Sequence, residues 1–196
     1  MRKFKTEKRL EKIKKVAAAR QFSLRVVLEN IHDPHNVSAI FRTCDAVGVP
    51  QVDLLYTVEE FPKISKVSSA SSKKWVERKR YNSTKECIKQ LKEDGFKIYG
   101  TILSDKAEDI YNLDFTEKIA IVMGNEHRGI SEEIIEACDK HIYIPMRGMI
   151  QSLNVSVATA VVLYEAQRQR MLKGMYNKSE LSNDELEKMI ADWCNK

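Results

Sequence analysis

The 196-residue sequence contains only 7 glycines, 4 prolines and 4 cysteines, and each scarcity excludes a class of protein. So few glycines and prolines, together with 43% hydrophobic side chains, exclude a low-complexity chain and predict one ordinary globular domain. Cys44, Cys87, Cys138 and Cys194 are far apart and form no C-x-x-C pair, which argues against a zinc knuckle and a thioredoxin-type site. We therefore expect reduced cysteines that pack as small apolar side chains.

Long hydrophobic runs are also missing. The longest apolar stretches, residues 119–123 and 155–164, are far shorter than the roughly 20 residues that a membrane-spanning helix needs. The first ten residues carry charges throughout, so we expect neither a secretory signal nor an organellar transit peptide. The sequence predicts a cytoplasmic protein with no membrane segment.

Common nucleotide and metal motifs are absent as well. No G-x-G-x-x-G follows the first predicted strand, which argues against a conventional Rossmann dinucleotide site. Residues 124–131 have the spacing of a P-loop, but Ile130 stands where the phosphate-binding lysine is required. The four histidines, which have no companion set with metal-ligand spacing, are His32, His35, His127 and His141. We predict no metal site.

Basic residues are concentrated in two places. Residues 1–20 contain nine Lys or Arg and two acidic residues, an excess larger than the net charge of +5 of the whole chain. Residues 63–80 contain seven Lys or Arg among serines, with Glu77 as the one acid. Either cluster alone fits a solvated surface as well as a binding site. Together they favour a polyanionic partner such as nucleic acid.

Apolar periodicity alternates between the strand and the helix pattern along the chain. The predicted strands are 24–28, 52–56, 75–81 at a sheet edge, 96–103, 119–123 and 141–144, and the predicted helices are 4–19, 37–47, 83–94, 131–139, 154–171 and one from 182. This alternation predicts an α/β fold with a parallel sheet and helices on both faces. The last helix has an apolar face that needs either the domain or a second subunit to pack against.

Three polar loops follow predicted strands, at residues 29–36, 123–126 and 144–154. Ligands bind at the carboxyl ends of the strands in open parallel sheets, so these loops are the predicted site. The same side chains also fit ordinary structural roles. Arg42 could pair with Asp45, Asn36 and Asn154 could cap helices, and Glu126 could be an acidic residue in the first turn of a helix.

Three ungapped motifs run through these loops: LENIHDPHNVSAIFRTCDAVGV at 28–49, VMGNEHRGIS at 122–131, and IPM to QRQR at 144–170. They resemble the SpoU branch of the SPOUT RNA ribose methyltransferases over residues 20–170. The resemblance implies a parallel sheet whose C-terminal chain forms a trefoil knot, with S-adenosyl-L-methionine bound in the knot and S-adenosyl-L-homocysteine as the product. It also implies a homodimer.

The resemblance also implies the roles of particular residues. Arg42 would activate the ribose 2′-hydroxyl, Asn36 would fix its geometry, and Glu126, Ser152 and Asn154 would complete the catalytic site. The residues implied to hold the cofactor, largely by main-chain groups, are Thr101, Leu103, Gly124, Ile144, Met146, Ser152 and Leu153. A guanidinium is a poor proton acceptor, so Arg42 either removes the proton or stabilises the alkoxide.

The details of the first and third motifs imply tRNA as the substrate, with guanosine 18 of the D-loop as the methylated nucleotide. Two alternatives remain open, a ribosomal RNA methyltransferase of the same branch and a non-catalytic RNA-binding homologue. The chain is predicted to divide into a basic RNA-binding helix at 1–20, a methyltransferase domain at 21–172 and a helical extension at 173–196.

Overall fold

One parallel sheet organises the fold of the computed structural model, which describes residues 6–62 and 74–196. Its strand order within these ranges is β3-β2-β1-β6-β4-β7-β5, and every pair is parallel. The strands are β1 (Leu24–Glu29), β2 (Gln51–Leu55), β3 (Glu77–Tyr81), β4 (Lys97–Thr101), β5 (Glu108–Asp109), β6 (Ile119–Met123) and β7 (Lys140–Tyr143). The predicted parallel α/β fold is confirmed, with β3 at an edge as expected.

Helices cover both faces of this sheet. In the described ranges they are α1 (Glu7–Ala18), α2 (Pro34–Val47), α3 (Thr84–Glu93), α4 (Glu132–Ala137), α5 (Val155–Leu172) and α6 (Asn183–Asn195). One apolar core lies beneath α2 and α5, and a second lies beneath α3 and α4. Two short elements were not predicted, β5 and the 3-10 helix Ile110–Asn112. The serine- and lysine-rich loop at 63–73 lies outside the described residues.

The central strands are buried on both faces. In β1, Leu24, Val26 and Leu28 point into the core of α2 and α5, while Val27 points into the opposite core. All five residues of β6 are buried in the same two-sided way. Side chains of a strand alternate between faces, so a strand covered by helices on both sides must be apolar almost throughout. This explains the continuous apolar runs.

Local sequence signals fix the ends of α2. The Asp33 carboxylate accepts a hydrogen bond from the backbone N–H of His35 at 2.8 Å, and Pro34 occupies the first turn. At the other end Gly48 has φ 88°, a left-handed conformation that favours glycine. A Cβ at Gly48 would also lie 3.0 Å from the carbonyl oxygen of Ala19. The helix therefore begins at the loop after β1 and stops against the end of α1.

The two terminal helices pack on each other and form a small core of their own. Ile13 and Ala17 of α1 lie against Ile190 and Trp193 of α6. The ring centroid of Trp193 is 5.1 Å from that of Trp75, which precedes the edge strand β3. The apolar face of the last helix thus packs within the chain, as one of the two alternatives predicted. None of the helices in the described ranges has the length and apolarity to span a bilayer.

Arg170, near the end of α5, joins the amino ends of the central strands. Its side chain is fully buried and donates to the carbonyl oxygens of Phe115 at 2.9 Å and Glu117 at 2.7 Å. It also donates to Ser23 Oγ at 2.7 Å and to Gln21 Oε1 at 3.2 Å. A buried guanidinium is tolerated only when its N–H groups are satisfied in this way.

The expected trefoil knot stays a prediction.

Candidate active site

A cavity of about 650 Å³ opens at the carboxyl ends of β4, β6 and β7. The loop between β7 and α5, residues 144–154, forms one of its walls. All seven residues predicted to hold the cofactor line this cavity: Thr101, Leu103, Gly124, Ile144, Met146, Ser152 and Leu153. Their role in binding stays a prediction, but the fold gathers them around one space from three separate strands.

The lining suits a nucleoside-sized ligand. Small-molecule sites in proteins have volumes of roughly 300–1,000 Å³ and are mostly apolar with a few polar groups, and this cavity falls in that range. Ile102, Ile142 and Val162 supply apolar surface. The Thr101 hydroxyl donates to the carbonyl oxygen of Val122 at 2.9 Å, so this side chain fastens β4 to β6. The residues present therefore fit the S-adenosyl-L-methionine implied by the motifs.

A tight turn after β6 forms the upper wall of the cavity. In this Glu126 turn, residues 125–129, Asn125 and Gly129 exchange two backbone hydrogen bonds, each of 2.9 Å. The turn folds back over Gly124, where a Cβ would lie 2.2 Å from the carbonyl carbon of Gly129. Glycine at position 124 thus lets Glu126 approach the end of β1.

Glu126 is held by hydrogen bonds from the loop that follows β1. Its carboxylate accepts from Asn36 Nδ2 at 2.9 Å and from the backbone N–H groups of His32 at 3.2 Å and Asp33 at 3.4 Å. Partial burial opposes ionisation, but these hydrogen bonds outweigh it and lower the pKa of the Glu126 carboxyl below its ordinary value. Glu126 is therefore an ionised acceptor that fixes the loop.

The chain of hydrogen bonds continues from Asn36 to the start of α5. Asn36 Oδ1 accepts from Asn154 Nδ2 at 3.0 Å, and Asn154 Oδ1 accepts from the backbone N–H of Ser156 at 2.9 Å. We call Glu126, Asn36 and Asn154 the polar network. It joins residues 36, 126 and 154 from three segments that are distant in sequence, and their catalytic role stays a prediction.

The structural alternatives considered for these residues have mixed outcomes. Asn154 does cap α5, so that interpretation is confirmed alongside its bond to Asn36. Asn36 is not a helix cap, because Asp33 caps α2 and Asn36 lies inside it. Glu126 is not in the first turn of a helix, since α4 begins at Glu132. The polar network is thus more than a set of helix caps.

Arg42 stands apart from the polar network. It lies on the exposed side of α2, it does not line the cavity, and it has no hydrogen-bond or ion-pair partner in the part of the chain that the structure describes. An ion pair between Arg42 and Asp45 was one interpretation, and it is wrong because Asp45 pairs with the buried Arg20. The catalytic role of Arg42 stays a prediction, as does that of Ser152, which lines the cavity.

Three contributors to the site were not predicted from the sequence. Asn30 has φ 52° and binds both the loop after β2 and the Glu126 turn. The Arg128 guanidinium, at the cavity wall, donates to Glu59 Oε1 at 2.7 Å. In this ion pair the hydrogen bond from Arg128 lowers the pKa of the Glu59 carboxyl. No periodicity or spacing in the sequence links such distant positions. The one sequence signal that could have identified a contributor was the asparagine directly after β1, because asparagine tolerates a left-handed backbone conformation.

The described residues, 6–62 and 74–196, contain no group of three or more His, Cys, Asp or Glu side chains that could hold a metal ion. In those ranges Cys44, Cys87 and Cys194 are buried and Cys138 is half-buried. Burial raises the pKa of the Cys87 and Cys138 thiols to about 12, so these two thiols are neutral near pH 7.

Comparisons with known proteins agree with this geometry. The model of the SpoU rRNA methylase family matches residues 23–164. A tRNA (guanosine(18)-2′-O)-methyltransferase of Thermus thermophilus is 44% identical over 192 residues, 98% of each chain. The crystal structure of the A. aeolicus TrmH/SpoU tRNA modifying enzyme has a TM-score of 0.89 and 43% identity, covering 96% of both chains. The SpoU methyltransferase AviRb from Streptomyces viridochromogenes, in complex with AdoMet, has a TM-score of 0.69 and 26% identity, covering 79% of this chain and 62% of that one.

Proposed function

This chain belongs to the SpoU rRNA methylase family, and on that premise we propose that it methylates the ribose 2′-hydroxyl of guanosine 18 in tRNA. Support for the substrate comes from the similarity, over nearly the full length of both chains, to the Thermus thermophilus enzyme of that activity. The observation that carries the proposal is the cavity at the ends of β4, β6 and β7 with the polar network at its edge. The cavity for the donor then lies beside amides that can bind a hydroxyl.

S-adenosyl-L-methionine, when bound, supplies an electrophilic methyl group and leaves as S-adenosyl-L-homocysteine. The residues that would hold it are the backbone groups of Thr101, Ile144 and Leu153, with the apolar side chains of the cavity around them. Such surroundings exclude water, which keeps the donor from competing hydrolysis. The complex of AviRb with AdoMet, a fold neighbour, supports this assignment.

The polar network would position the ribose. Asn36 and Asn154 present amide groups that can bind a hydroxyl, and Glu126 keeps Asn36 in place from the opposite side. Holding a hydroxyl in line with a methyl donor can supply about 7–11 kcal/mol of the barrier when the geometry is right. Glu126 accepts three hydrogen bonds, so we assign it to positioning. The positive charge of Arg42 would stabilise the oxygen as it loses its proton.

We also propose that the chain acts as a homodimer. Val157, Tyr164 and Met171 follow one another at intervals of seven along α5, and they are 48%, 52% and 61% exposed. Met149 and Ile150, in the loop that forms one wall of the cavity, are also exposed. A stripe of exposed apolar residues that recur along one helix in this way is typical of an interface between subunits. Since α5 packs against α2, a dimer on this face would also bring Arg42, which has no partner among the described residues, towards the other subunit.

Basic surfaces outside the cavity would bind the body of the tRNA. Exposed lysines and arginines on α1 include Lys8, Arg9 and Lys12, and the edge strand β3 adds Arg78 and Arg80. Contacts of this kind follow the phosphate backbone and carry no sequence information.

We keep the predicted division into an RNA-binding helix at 1–20, a methyltransferase domain at 21–172 and an extension at 173–196. We likewise keep the cytoplasm as the predicted location of this reaction.

The test uses tritium-labelled S-adenosyl-L-methionine and a tRNA made in two forms. One form carries guanosine at position 18 and the other carries 2′-deoxyguanosine there. We expect label to enter the first tRNA and not the second, because the deoxy form lacks the accepting oxygen. Equal labelling of both forms would refute the site, labelling of ribosomal RNA alone would support the alternative substrate, and binding of tRNA without any transfer would support a non-catalytic homologue.

A further inference from the structure

The residue at the end of β1 has an unusual backbone conformation. Asn30 has φ 52°, and it is the one residue other than glycine with a positive φ among the described residues. Asparagine is among the few side chains that tolerate this left-handed region, where most others are strained. The backbone therefore turns sharply between β1 and the loop that carries His32 and Asp33. Asn30 is only 6% exposed, so its polar groups need partners within the protein.

The side chain of Asn30 holds the loop that follows β2. Its Oδ1 accepts hydrogen bonds from three successive backbone N–H groups, those of Thr57 at 2.9 Å, Val58 at 3.1 Å and Glu59 at 3.2 Å. Its Nδ2 donates to Thr57 Oγ1 at 3.3 Å. Through these bonds Glu59 is placed where it binds Arg128 of the Glu126 turn. A single amide thus connects β1, the loop after β2 and, indirectly, the turn after β6.

The backbone carbonyl of Asn30 binds the Glu126 turn directly. It accepts a hydrogen bond from Asn125 Nδ2 at 2.7 Å. Asn125 is 7% exposed, and its Oδ1 accepts from the backbone N–H groups of His127 at 3.0 Å and Arg128 at 3.2 Å. The left-handed turn at Asn30 aims this carbonyl at Asn125, and Asn125 shapes the turn on which Glu126 lies.

We propose that Asn30 is a positioning residue for methyl transfer, acting through Asn125 and Glu126 on the start of α2, which carries Asn36. This inference rests on the proposed function. Glu126 reaches the N–H groups of His32 and Asp33 only if the end of β1 and the turn after β6 keep their separation. The carbonyl of Asn30, directly after β1, accepts a hydrogen bond from that turn and so helps to fix this separation. Asn30 neither lines the cavity nor belongs to the polar network, and it acts through the Glu126 turn, which forms one wall of the cavity. Its loss should therefore disturb the alignment of the ribose more than the binding of the donor, because the other walls of the cavity come from β4, β7 and residues 144–154.

The experiment compares three variants in steady-state methylation of tRNA. Asn30→Gly keeps the left-handed backbone and removes the side chain, whereas Asn30→Asp keeps the accepting oxygen. Asn112→Gly, at an exposed position in the 3-10 helix, is the matched control. We expect Asn30→Gly to lower kcat roughly 100-fold, as for a small misplacement of reacting groups. Asn30→Asp should recover most of that loss, and Asn112→Gly should match the wild type.

Affinity for S-adenosyl-L-homocysteine, measured by calorimetry, separates positioning from general damage. We expect Asn30→Gly to lower this affinity far less than it lowers kcat and to keep the binding stoichiometry of the wild type, with kcat expressed per binding site. A wild-type kcat in folded Asn30→Gly would overturn the proposal, and so would a loss in Asn30→Asp as large as that in Asn30→Gly. If the wild type itself transfers no methyl group to tRNA, the proposed function fails instead.

A second variant tests the link if Asn30→Gly does not fold. Asn125→Asp keeps the oxygen that accepts from His127 and Arg128 but replaces the donor to the Asn30 carbonyl with a second oxygen. The two oxygens repel each other, so the Glu126 turn should separate from β1. We expect kcat to fall far more than S-adenosyl-L-homocysteine affinity, because Asn125 lies on only one wall of the cavity. A kcat equal to that of the wild type would overturn the proposal.

Discussion

The carboxylate of Glu126 accepts bonds from one side-chain amide and two backbone N–H groups, all from the segment that begins α2. With its oxygens occupied and its pKa lowered, it is poorly suited to collect a proton from a ribose. The residue acts instead by fixing where Asn36 lies. In this site the acidic side chain therefore fixes the position of other residues. The positive charge that stabilises the ribose oxygen as it loses its proton has to come from another residue.

The lowered pKa of Glu126 predicts how its contribution to stability depends on pH. A carboxyl whose folded pKa is depressed stabilises the protein above its ordinary value of 4.5, and this stabilisation is lost as the pH falls through the folded pKa. Glu126→Gln should therefore melt at a lower temperature than the wild type at pH 7. The gap should close on acidification below pH 4.5. Calorimetric melting temperatures between pH 7 and pH 3 would test this, and a gap that widens in acid would contradict it.

Substitution of Arg42 separates donor binding from transfer. Arg42 does not line the cavity, so Arg42→Ala should bind S-adenosyl-L-homocysteine as the wild type does. Loss of the charge beside the developing alkoxide should lower kcat roughly 100- to 1,000-fold, as does loss of one oxyanion-stabilising group. Calorimetry and the tritium-transfer assay measure the two properties. Arg42→Lys is the control for charge without the planar guanidinium, and near-normal turnover in Arg42→Ala would remove Arg42 from the mechanism.

The start of α5 combines two functions in one amide. Asn154 Oδ1 caps the helix, while Nδ2 donates to Asn36. An aspartate at this position would cap as well as asparagine does but has no N–H to donate. The two functions therefore lie on different atoms of the same side chain and can be removed one at a time.

Two substitutions of Asn154 should give different results. Asn154→Ala should lose about 0.5–2 kcal/mol of stability because the cap is gone, and activity should fall as well. Asn154→Asp should keep the cap but still lose activity, because the bond to Asn36 is replaced by two oxygens that face each other. Denaturant unfolding and the tritium-transfer assay measure the two effects. Wild-type activity in Asn154→Asp would show that the bond to Asn36 is dispensable.

Most elements could be predicted from the sequence because their signals are local. β1 and β6 are buried on both faces, so each is a continuous apolar run, and Asp33 with Pro34 marks the start of α2. β5 gives no such signal, since it consists of Glu108 and Asp109 and exists only because β7 lies beside it. An element that depends on its neighbour for its existence leaves no trace in its own residues.

The candidate site divides in the same way. The motifs predicted the residues of the polar network, and the fold brings residues 36, 126 and 154 into hydrogen-bond contact. Asn30 was missed because its function lies in its bonds, which reach Thr57 and Asn125 across long stretches of chain. The isolated position of Arg42 was not foreseen either, because spacing along a helix does not reveal what lies opposite.

At the scale of the whole molecule, the position of Arg42 bears on how this side chain comes to lie beside the reacting ribose 2′-hydroxyl. It has no side-chain partner in the described part of its own chain, and the exposed apolar stripe of α5 lies on a helix that packs against α2. If two chains associate through that stripe with two-fold symmetry, each cavity gains access to a residue of the other subunit. The catalytic unit would then be the pair.

Mixed dimers test this arrangement. Arg42→Ala and Glu126→Ala should each be inactive alone. After the two are unfolded together and refolded, half of the dimers contain one chain of each kind. If Arg42 acts across the interface, one cavity in each mixed dimer is intact, and about a quarter of the wild-type activity returns. If Arg42 acts within its own chain, every cavity contains a defect and no activity returns. Sedimentation before mixing establishes that each variant is dimeric.

The strand order affects how the protein folds while it is being synthesised. Leu24 of β1 pairs with Ile119 of β6, so the central strand β1 can pair with this neighbour only after about 95 further residues have been synthesised. At a synthesis rate of about 5–20 residues per second, this delay lasts roughly 5–20 seconds. During that time the backbone N–H and C=O groups along one edge of the apolar strand β1 are unpaired and can bind other nascent chains. Open strand edges of this kind are templates for aggregation. The ribosome and the chaperones near its exit would therefore protect this chain until translation passes β6.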